Sequence, residues 1–491
     1  MPRTPRDAYC AGASVDFDRL VAQDGAHHRH RCELVERACL FNATVVPAEH
    51  GTAQARRAAA LAQRWQMRDM WESGQERPLA HYHPLRAPEP GTPAASLVAS
   101  AVEQHGYSPC VPLVWLPTWL MNFGESLISS LMPIDELQHA RLIDQRVLLT
   151  PELWRFPGDR FRIWQMVGAL VDRHPSTRLR GLMERAAKCA DPAARRGRCG
   201  LPRCYARLLV CRFRSAFDPY VPPLPCARGG GGGGGGGSSG GPGACVPAPW
   251  RAAQRVAAVL AGPGGGGGGG PGGGGAPGGG AGQRRRPPPL LLRVVFVNRT
   301  NTKRARGLAN LDELLARCAA LRGGGLLPVG RVSEHGSSPH TPREQRISCA
   351  AHAFGAGSIA DDVRAARRAD VLVGTHGAGL NNAFFMRRGG ALLEVRPYRF
   401  EGGWPDKYMR ELTSLEKALM YFQVSAAAPE LSVPPPARDV SVWHARDHAV
   451  LLPWGVLLSA LRAVVFANRS VERYQDYVWA HGCTFVSEHP D

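Results

Sequence analysis

The chain has 491 residues, which is long for one compact core, so two domains joined by a linker are expected. Its formal net charge of +19 comes mainly from arginine and suits either a polyanionic or diphosphate-bearing ligand or a solvated basic surface. The 13 cysteines do not form paired CxxC spacings with histidines, which argues against a zinc site, and no stretch approaches transmembrane length.

The first 228 residues are predicted to form an α/β region, whose clearest apolar segments are residues 111–131 and 145–149. Its cysteines include a close pair and a cluster, namely Cys32 and Cys39, then Cys189, Cys199, Cys204 and Cys211. N-glycosylation sequons begin at Asn42, Asn298 and Asn468. Cysteines and sequons together fit a secretory lumen, where disulfides persist. The opening residues show no apolar signal segment and no membrane anchor.

Residues 229–289 are dominated by glycine runs and proline. Such a segment cannot bury enough apolar surface to offset its ordering entropy, so it is predicted to be a disordered linker. A short apolar island at residues 246–260 is a candidate helix within it. The linker leads to a C-terminal region that begins near Leu290.

The C-terminal region alternates strand and helix signals, which favours a parallel sheet with crossover helices. The first strand is a continuous apolar run, as expected for a strand covered on both faces. Asn310 is predicted to be the N-cap of the first helix. We expect strands at residues 290–297, 371–373 and 391–395, and helices at residues 310–321, 359–369 and 381–386. They form a Rossmann-like unit, and a later amphipathic helix at 451–466 is expected to dock on the N-terminal region.

A glycine-containing turn follows the strand at residues 371–373. Gly374, Gly377 and Gly379 let a ligand approach the backbone, and free N–H groups at the start of the next helix can bind a diphosphate. His376 can add a hydrogen bond or a positive charge. The dinucleotide fingerprint is not met, because Asn382 stands where its third glycine would fall. A purely structural glycine turn is the alternative.

Three cations follow the first strand of this region, Arg299, Lys303 and Arg304. In an open parallel sheet the ligand crevice lies beyond the carboxyl ends of the strands, so these cations and His376 are predicted to share one edge. Their convergence would neutralise a diphosphate without demanding a metal ion or other cofactor. An exposed basic loop is the alternative.

Several blocks of the sequence resemble glycosyltransferase family 61, in an order and spacing that are more specific than any single block. The resemblance covers residues 290–422 and has two shorter N-terminal fragments. The blocks are residues 294–299, 308–314, 369–380, 384–386, 393–395 and 419–421, and the fragments are residues 32–42 and 122–128.

The resemblance implies an α/β fold of the glycosyltransferase B type, with two Rossmann-like lobes joined by the glycine-rich linker. With the bounds taken from composition and the roles from the resemblance, we expect an N-terminal acceptor lobe at 1–228, the linker at 229–289, a C-terminal nucleotide-sugar donor lobe at 290–425 and a tail at 426–491. Members of this family transfer xylose, arabinofuranose or N-acetylglucosamine from a UDP-sugar to a glycan or protein hydroxyl and invert the anomeric centre. A place in the Golgi or endoplasmic reticulum follows from the same resemblance.

Residue by residue, the resemblance assigns donor binding to the basic residues, the turn and a strand-end carboxylate expected at the ribose. These residues are Arg299, Arg304, His376, Gly377, Ala378, Gly379, Leu380 and Glu394. His376 and Glu125 are the candidate catalytic residues, with Glu125 as the candidate for the base that takes the acceptor proton. After the asparagine-containing block at 122–124 the family usually carries a histidine and then one or two acids, whereas this chain has Glu125 and the pair Ser129 and Ser130. Asp362 likewise stands in place of a glutamine that is common in the helix before the donor turn. An exposed or capping role for Glu125 is the alternative.

Other features are weaker candidates for a functional site. Asp16 and Asp18 have the carboxylate spacing of a metal–diphosphate site but lie in a poorly patterned segment, and His27, His28, His30, His81 and His83 are expected in solvated loops. A catalytically inactive binding or scaffolding protein that retains the donor lobe is the rival hypothesis. Nucleic-acid binding is not expected, because the basic segments lack interleaved aromatic residues and any known module.

Overall fold

A computed structural model describes residues 15–17, 20, 30–41, 44–47, 93–115, 127, 131–144, 147–151, 166, 203–213, 249–261, 291–299, 306–321, 346–400, 404–414, 416–434 and 442–489. The chain divides into two compact units, Met1–Val259 and Leu260–Asp491. Within the described residues, no helix is both long and apolar enough to cross a membrane.

The N-terminal unit is built on a five-stranded sheet in the order β2-β1-β5-β3-β4. Its strands are β1 (His30–Phe41), β2 (Thr44–Pro47), β3 (Pro112–Trp115), β4 (Leu148–Pro151) and β5 (Arg203–Phe213). Strand β1 pairs antiparallel with β2 and β5, whereas β3 is parallel to β4 and β5. The described strands thus form a mixed sheet, which differs from the parallel sheet of the predicted Rossmann-like N-terminal lobe.

Disulfides join the two longest strands of this sheet. Cys32 faces Cys211 and Cys39 faces Cys204 in the β1–β5 register, and both pairs are bonded. The close pair Cys32 and Cys39 and two members of the cysteine cluster are therefore cross-strand partners, which links β1 and β5 covalently at two points. Cys110 is disulfide-bonded as well.

The described helices of the N-terminal unit are α1 (Pro93–His105), α2 (Met132–His139) and α3 (Pro249–Leu260). Helix α3 confirms the helix predicted in the apolar island of the glycine-rich segment. It buries Ala252 and Val256, one turn apart, and its Arg251 Nε donates to the buried Asp135 at 2.8 Å. Residues 229–248 and 262–289 lie outside the described residues.

The C-terminal unit contains a six-stranded sheet, and every pair of neighbouring strands in it is parallel. In the order β13-β10-β9-β8-β6-β7, its strands are β6 (Leu291–Val297), β7 (Arg346–His352), β8 (Val371–Thr375), β9 (Gly390–Arg396), β10 (Leu419–Ala426) and β13 (Thr484–Ser487). A separate antiparallel pair consists of β11 (Ser432–Val433) and β12 (Ala449–Val450). The predicted strands at 290–297, 371–373 and 391–395 are confirmed as β6, β8 and β9.

Helices connect these strands. They are α4 (Leu311–Leu321), α5 (Ile359–Arg368), α6 (Trp404–Ser414), α7 (Trp454–Ala467) and α8 (Val471–His481), with 3-10 helices at Ala378–Phe385, Pro429–Leu431 and Val442–Asp447. Helices α4 and α5 match their predictions to within one residue at each end. The predicted helix at 381–386 is a tighter 3-10 helix that begins at Ala378.

The Asn310 side chain differs from its predicted capping role. Its carbonyl accepts the first helical bond from Leu314, as an N-cap residue does. Its side chain turns away and exchanges two 3.0 Å hydrogen bonds with the backbone of Leu452. Asn310 therefore ties the start of α4 to the segment after β12.

Helix α7 packs on the C-terminal unit's own core. Leu457, Leu461 and Val464 are buried in the same cluster as Val294 and Phe422 of the parallel sheet. The predicted docking of residues 451–466 on the N-terminal region stays a prediction. The helix is apolar on more than one side, which is typical of a core helix.

The strand order fixes where a ligand crevice can form. Strand β6 is followed by β7 on one side and β8 is followed by β9 on the other, so right-handed connections that leave β6 and β8 cross opposite faces of the sheet. In doubly wound folds the ligand lies outside the carboxyl ends of the strands at such a switch point. That place is the end of β6 and β8.

Candidate functional site

Two loops meet at the carboxyl ends of β6 and β8. Strand β6 ends at Val297 and leads to Arg299, while β8 ends at Thr375 and leads to His376. The Arg299 guanidinium donates a 3.3 Å hydrogen bond from Nη1 to the His376 carbonyl. The predicted meeting of these two loops at one sheet edge is therefore present.

Residues 377–379 form a short accessible stretch between two buried ones. Residues 371–376 and 380–386 are buried, whereas Gly377, Ala378 and Gly379 are half-exposed. Within the described part of the chain, no acceptor pairs with the N–H groups of these three residues, since the first bond of the 3-10 helix runs from Leu380 N to Gly377 O. These three partly exposed residues thus have amides without an acceptor in the described structure, which is an arrangement that binds anions.

The Arg299 side chain lies directly against Gly377. A Cβ atom added to Gly377 would stand 2.5 Å from Arg299 Nη2 and 2.8 Å from Nη1. Gly377 also has φ +143° with ψ −179°, a conformation that side chains disfavour. Only glycine therefore allows the guanidinium to lie beside the free amides. Burial lowers the pKa of Arg299, and the charge of Asp447 partly opposes that effect.

His376 is held from inside the protein. Its Nδ1 lies 2.5 Å from Glu394 Oε1, and its backbone N–H donates to Val395 O at 3.2 Å. The imidazole side chain is only 6% exposed and its ring centre lies 4.9 Å from that of Phe400. Among the described residues no hydrogen bond to Nε2 is found. The ring therefore has one nitrogen committed to the interior and one available.

Glu394 is fully buried and its second oxygen is also engaged. Oε2 accepts hydrogen bonds from Arg396 Nη2 at 2.9 Å and Nε at 3.2 Å, and from the Tyr421 hydroxyl. Burial alone raises the pKa of Glu394, but the hydrogen bond and charge of His376, with the charge of Arg396, hold that pKa below its usual value. Burial and the Glu394 charge raise the pKa of Tyr421. Glu394 is thus a buried carboxylate with three partners.

A second charged group lies near Arg299 and comes from residues that the sequence analysis did not single out. Arg306 pairs with Asp447, which lies at the end of the 3-10 helix Val442–Asp447. Burial lowers the pKa of Arg306 to about 10. The charges of Arg446 and Arg299 also lower this pKa, whereas the charge of Asp447 raises it. No local motif marks this pair, because its members are 141 residues apart in sequence.

The structure brings together some predicted site residues and separates others. Arg299, His376, Gly377, Ala378 and Gly379 converge. Leu380, also predicted to bind the donor, offers no free group there. Its side chain is fully buried and its backbone N–H donates to the Gly377 carbonyl. The contacts of Glu394 are made to protein groups, so its predicted contact with a ribose stays a prediction. Residues outside the described part of the chain include Glu125, Ser129, Ser130, Lys303 and Arg304.

Asp362 is buried at the start of α5. It lies 2.9 Å from His352 Nε2 and accepts a 3.0 Å hydrogen bond from the Gly355 amide. These contacts tie the end of β7 to α5, so Asp362 supports the sheet edge near the candidate site.

The weaker metal candidates remain untested. Asp16 is described, but Asp18, His27, His28, His81 and His83 and the side chain of His30 are not. Among the described residues, no group of three or more His, Cys, Asp or Glu side chains is placed to hold a metal ion.

A polar groove of about 550 Å³ lies in the N-terminal unit and contains none of the candidate-site residues. Asp135, Arg251 and Arg255 line it, and Asp135 is already bonded to both arginines. We assign the candidate site to the ends of β6 and β8 instead, because free amides and an available imidazole nitrogen meet a guanidinium there.

Comparison with known proteins gives one family match. The sequence model described as Glycosyltransferase 61 matches residues 185–393, which is less than half of the chain. The matched range includes β6, Arg299, β8, His376 and the turn with the free amides. A search of curated proteins finds no significant match to this chain.

Proposed function

We propose that this chain is a member of glycosyltransferase family 61 that transfers a sugar from a UDP-sugar to a glycan or protein hydroxyl, because the family model matches the residues of the candidate site. The anomeric centre is inverted in the transfer. The donor diphosphate binds at the ends of β6 and β8, and the acceptor binds to the N-terminal region.

One observation carries this proposal: the three unpaired amides of residues 377–379 lie beside the Arg299 guanidinium. A diphosphate needs several donors in a small space, and charged hydrogen bonds to phosphate are stronger than neutral ones. Backbone amides cost no reorganisation when the ligand arrives. The arrangement therefore fits a phosphate group better than it fits a neutral ligand.

No metal ion or other cofactor is demanded in this proposal. Arg299, together with His376 and the predicted Arg304, supplies positive charge and hydrogen bonds to the departing diphosphate. Inversion requires the acceptor oxygen to attack from the side opposite to the diphosphate. A base on that side takes the acceptor proton, and Glu125 is proposed for this role.

A secretory compartment is part of the same proposal. Three disulfides, Cys32–Cys211, Cys39–Cys204 and Cys318–Cys349, are found among the described residues. Disulfides persist in oxidising compartments such as the endoplasmic reticulum and the Golgi lumen. The exposed side chain of Asn468, in one of the three sequons, is accessible to glycosylation there.

The test is a turnover screen with purified protein and UDP-xylose, UDP-arabinofuranose or UDP-N-acetylglucosamine, reading released UDP with and without glycan and glycoprotein acceptors. We expect one donor to be turned over, and Arg299→Ala and His376→Ala each to abolish turnover while circular dichroism stays unchanged. Unchanged turnover in both variants would refute the proposed site. UDP binding without any turnover would instead support the inactive scaffolding protein.

A further inference from the structure

We propose that Glu394 is a positioning residue that fixes the His376 imidazole, with its Nδ1–H turned inward and its Nε2–H aimed at the departing diphosphate. This inference rests on the proposed function, since it assigns a role within the same site. In this inference Glu394 does not touch the donor itself but acts on the donor through His376.

The geometry defines which nitrogen of His376 carries the inner proton. A carboxylate can only accept hydrogen bonds, and Glu394 Oε1 lies 2.5 Å from Nδ1. Nδ1 must therefore carry a proton and donate it to this hydrogen bond. In the protonated imidazole Nε2 also carries a proton, and this is the form that can donate to the departing oxygen.

The remaining contacts of Glu394 prevent the carboxylate from turning. Oε2 accepts from Arg396, and the Tyr421 hydroxyl donates to the same oxygen. Glu394 is 0% exposed and Arg396 is 2% exposed. A buried ion pair is weak evidence for stability, because apolar residues of similar volume often serve as well. The network of Arg396, Tyr421 and Glu394 ends at His376, whose Nε2 is available next to the turn with the free amides. We therefore attribute the burial of these charges to the orientation of His376.

The role of His376 follows from the stereochemistry of an inverting transfer. The bond between the anomeric carbon and the β-phosphate oxygen breaks, and its electron pair stays on the phosphate oxygen. The acceptor oxygen forms the new bond to the anomeric carbon and releases its proton to the base on the opposite face. His376 lies on the phosphate side with the amides, so Nε2–H donates a hydrogen bond to the departing oxygen as its negative charge grows.

The experiment compares three variants that remove one group each. Glu394→Gln removes the charge, Tyr421→Phe removes one hydrogen bond to Glu394, and Tyr474→Phe is the matched control. The Tyr474 hydroxyl donates to the Tyr421 carbonyl at 2.7 Å and has no contact with Glu394 among the described residues. We expect turnover of the donor found in the screen to fall about 100-fold in Glu394→Gln and about 10-fold in Tyr421→Phe, with KM little changed. Tyr474→Phe keeps wild-type turnover.

A spectroscopic readout separates positioning from general destabilisation. The histidine-labelled protein should show a protected, strongly downfield Nδ1 proton that is absent from His376→Gln. Glu394→Gln and Tyr421→Phe shift or remove this signal, whereas Tyr474→Phe retains it. If Glu394→Gln does not fold, Tyr421→Phe carries the test, because it alters no charge.

The outcomes distinguish this inference from the proposed function. Absence of UDP binding to the wild-type protein, measured by calorimetry, defeats the proposed function even when the downfield proton is present. If UDP binds and the donor is turned over, but Tyr421→Phe and Glu394→Gln keep both the proton signal and wild-type turnover, the positioning role of Glu394 is overturned.

Discussion

Replacing Gly377 by alanine tests the anion-binding turn most selectively, because the new methyl group would enter the space of one cation. Its carbon would stand 2.5 Å from Arg299 Nη2, which no real contact allows, so the guanidinium must move. The amides of Ala378 and Gly379 stay in the chain, but the charged donor beside them is displaced.

The size of the effect follows from the lost contact. A hydrogen bond to a charged group contributes about 1.5 to 3 kcal/mol, and about 1.4 kcal/mol corresponds to a tenfold change in affinity. The Kd of UDP is therefore expected to rise between about 10-fold and about 140-fold in Gly377→Ala. The unfavourable backbone conformation lowers the unfolding free energy by a further ~1–3 kcal/mol.

Gly482→Ala separates the two effects. Gly482 has φ +75° and ψ 175°, so an alanine is strained there as at Gly377, but no atom lies within 4 Å of the added Cβ. Isothermal calorimetry with UDP and urea unfolding should show loss of stability in both variants and loss of affinity only in Gly377→Ala. A folded Gly377→Ala protein that binds UDP as the wild type does would refute the placement of the phosphate beside Arg299.

Three further predictions concern stability. Asp447→Asn leaves Arg306 without its buried partner and should lower the unfolding free energy by about 3 kcal/mol in urea titrations, and an unchanged midpoint would contradict that pairing. The pKa of Glu394 is lowered on folding, so its stabilising contribution is present above the unfolded value of 4.5 and is lost as the pH falls through the lower folded pKa. The wild type should thus lose stability below pH 4.5 more steeply than Glu394→Gln, and parallel acid-unfolding curves would argue against this. Replacing Cys318 and Cys349 together by serine opens a loop of 31 residues and should cost about 4 kcal/mol, and an equal thermal midpoint would exclude that contribution.

Local sequence patterns predicted the backbone of the site well. The apolar run at β6 ends where arginine follows, and the glycines after β8 mark the turn that carries the free amides. Because the carboxyl ends of parallel strands meet at one edge, the approach of Arg299 to residues 377–379 could be predicted without coordinates. Hydrophobic periodicity placed α4 and α5 for the same local reason.

The groups behind the site could not be predicted in this way, because they depend on strand register and distant packing. Glu394 and Arg396 share one face of β9, but their common partner Tyr421 comes from β10, 27 residues after Glu394. Asn310 had the sequence position of a cap, and only the tertiary fold shows that its side chain binds Leu452. Periodicity likewise indicates that α7 is apolar but not which core it packs on, and the structure shows that it packs on the core of the C-terminal unit.

The central claim is that a diphosphate binds the free amides of residues 377–379 and the guanidinium of Arg299. A crystal structure of the protein with UDP measures this directly. We predict β-phosphate oxygens within hydrogen-bond distance of the Gly377, Ala378 and Gly379 amides, of Arg299 and of His376 Nε2. Phosphates bound elsewhere, for example in the groove beside Asp135, with these amides still open to solvent, would contradict the account.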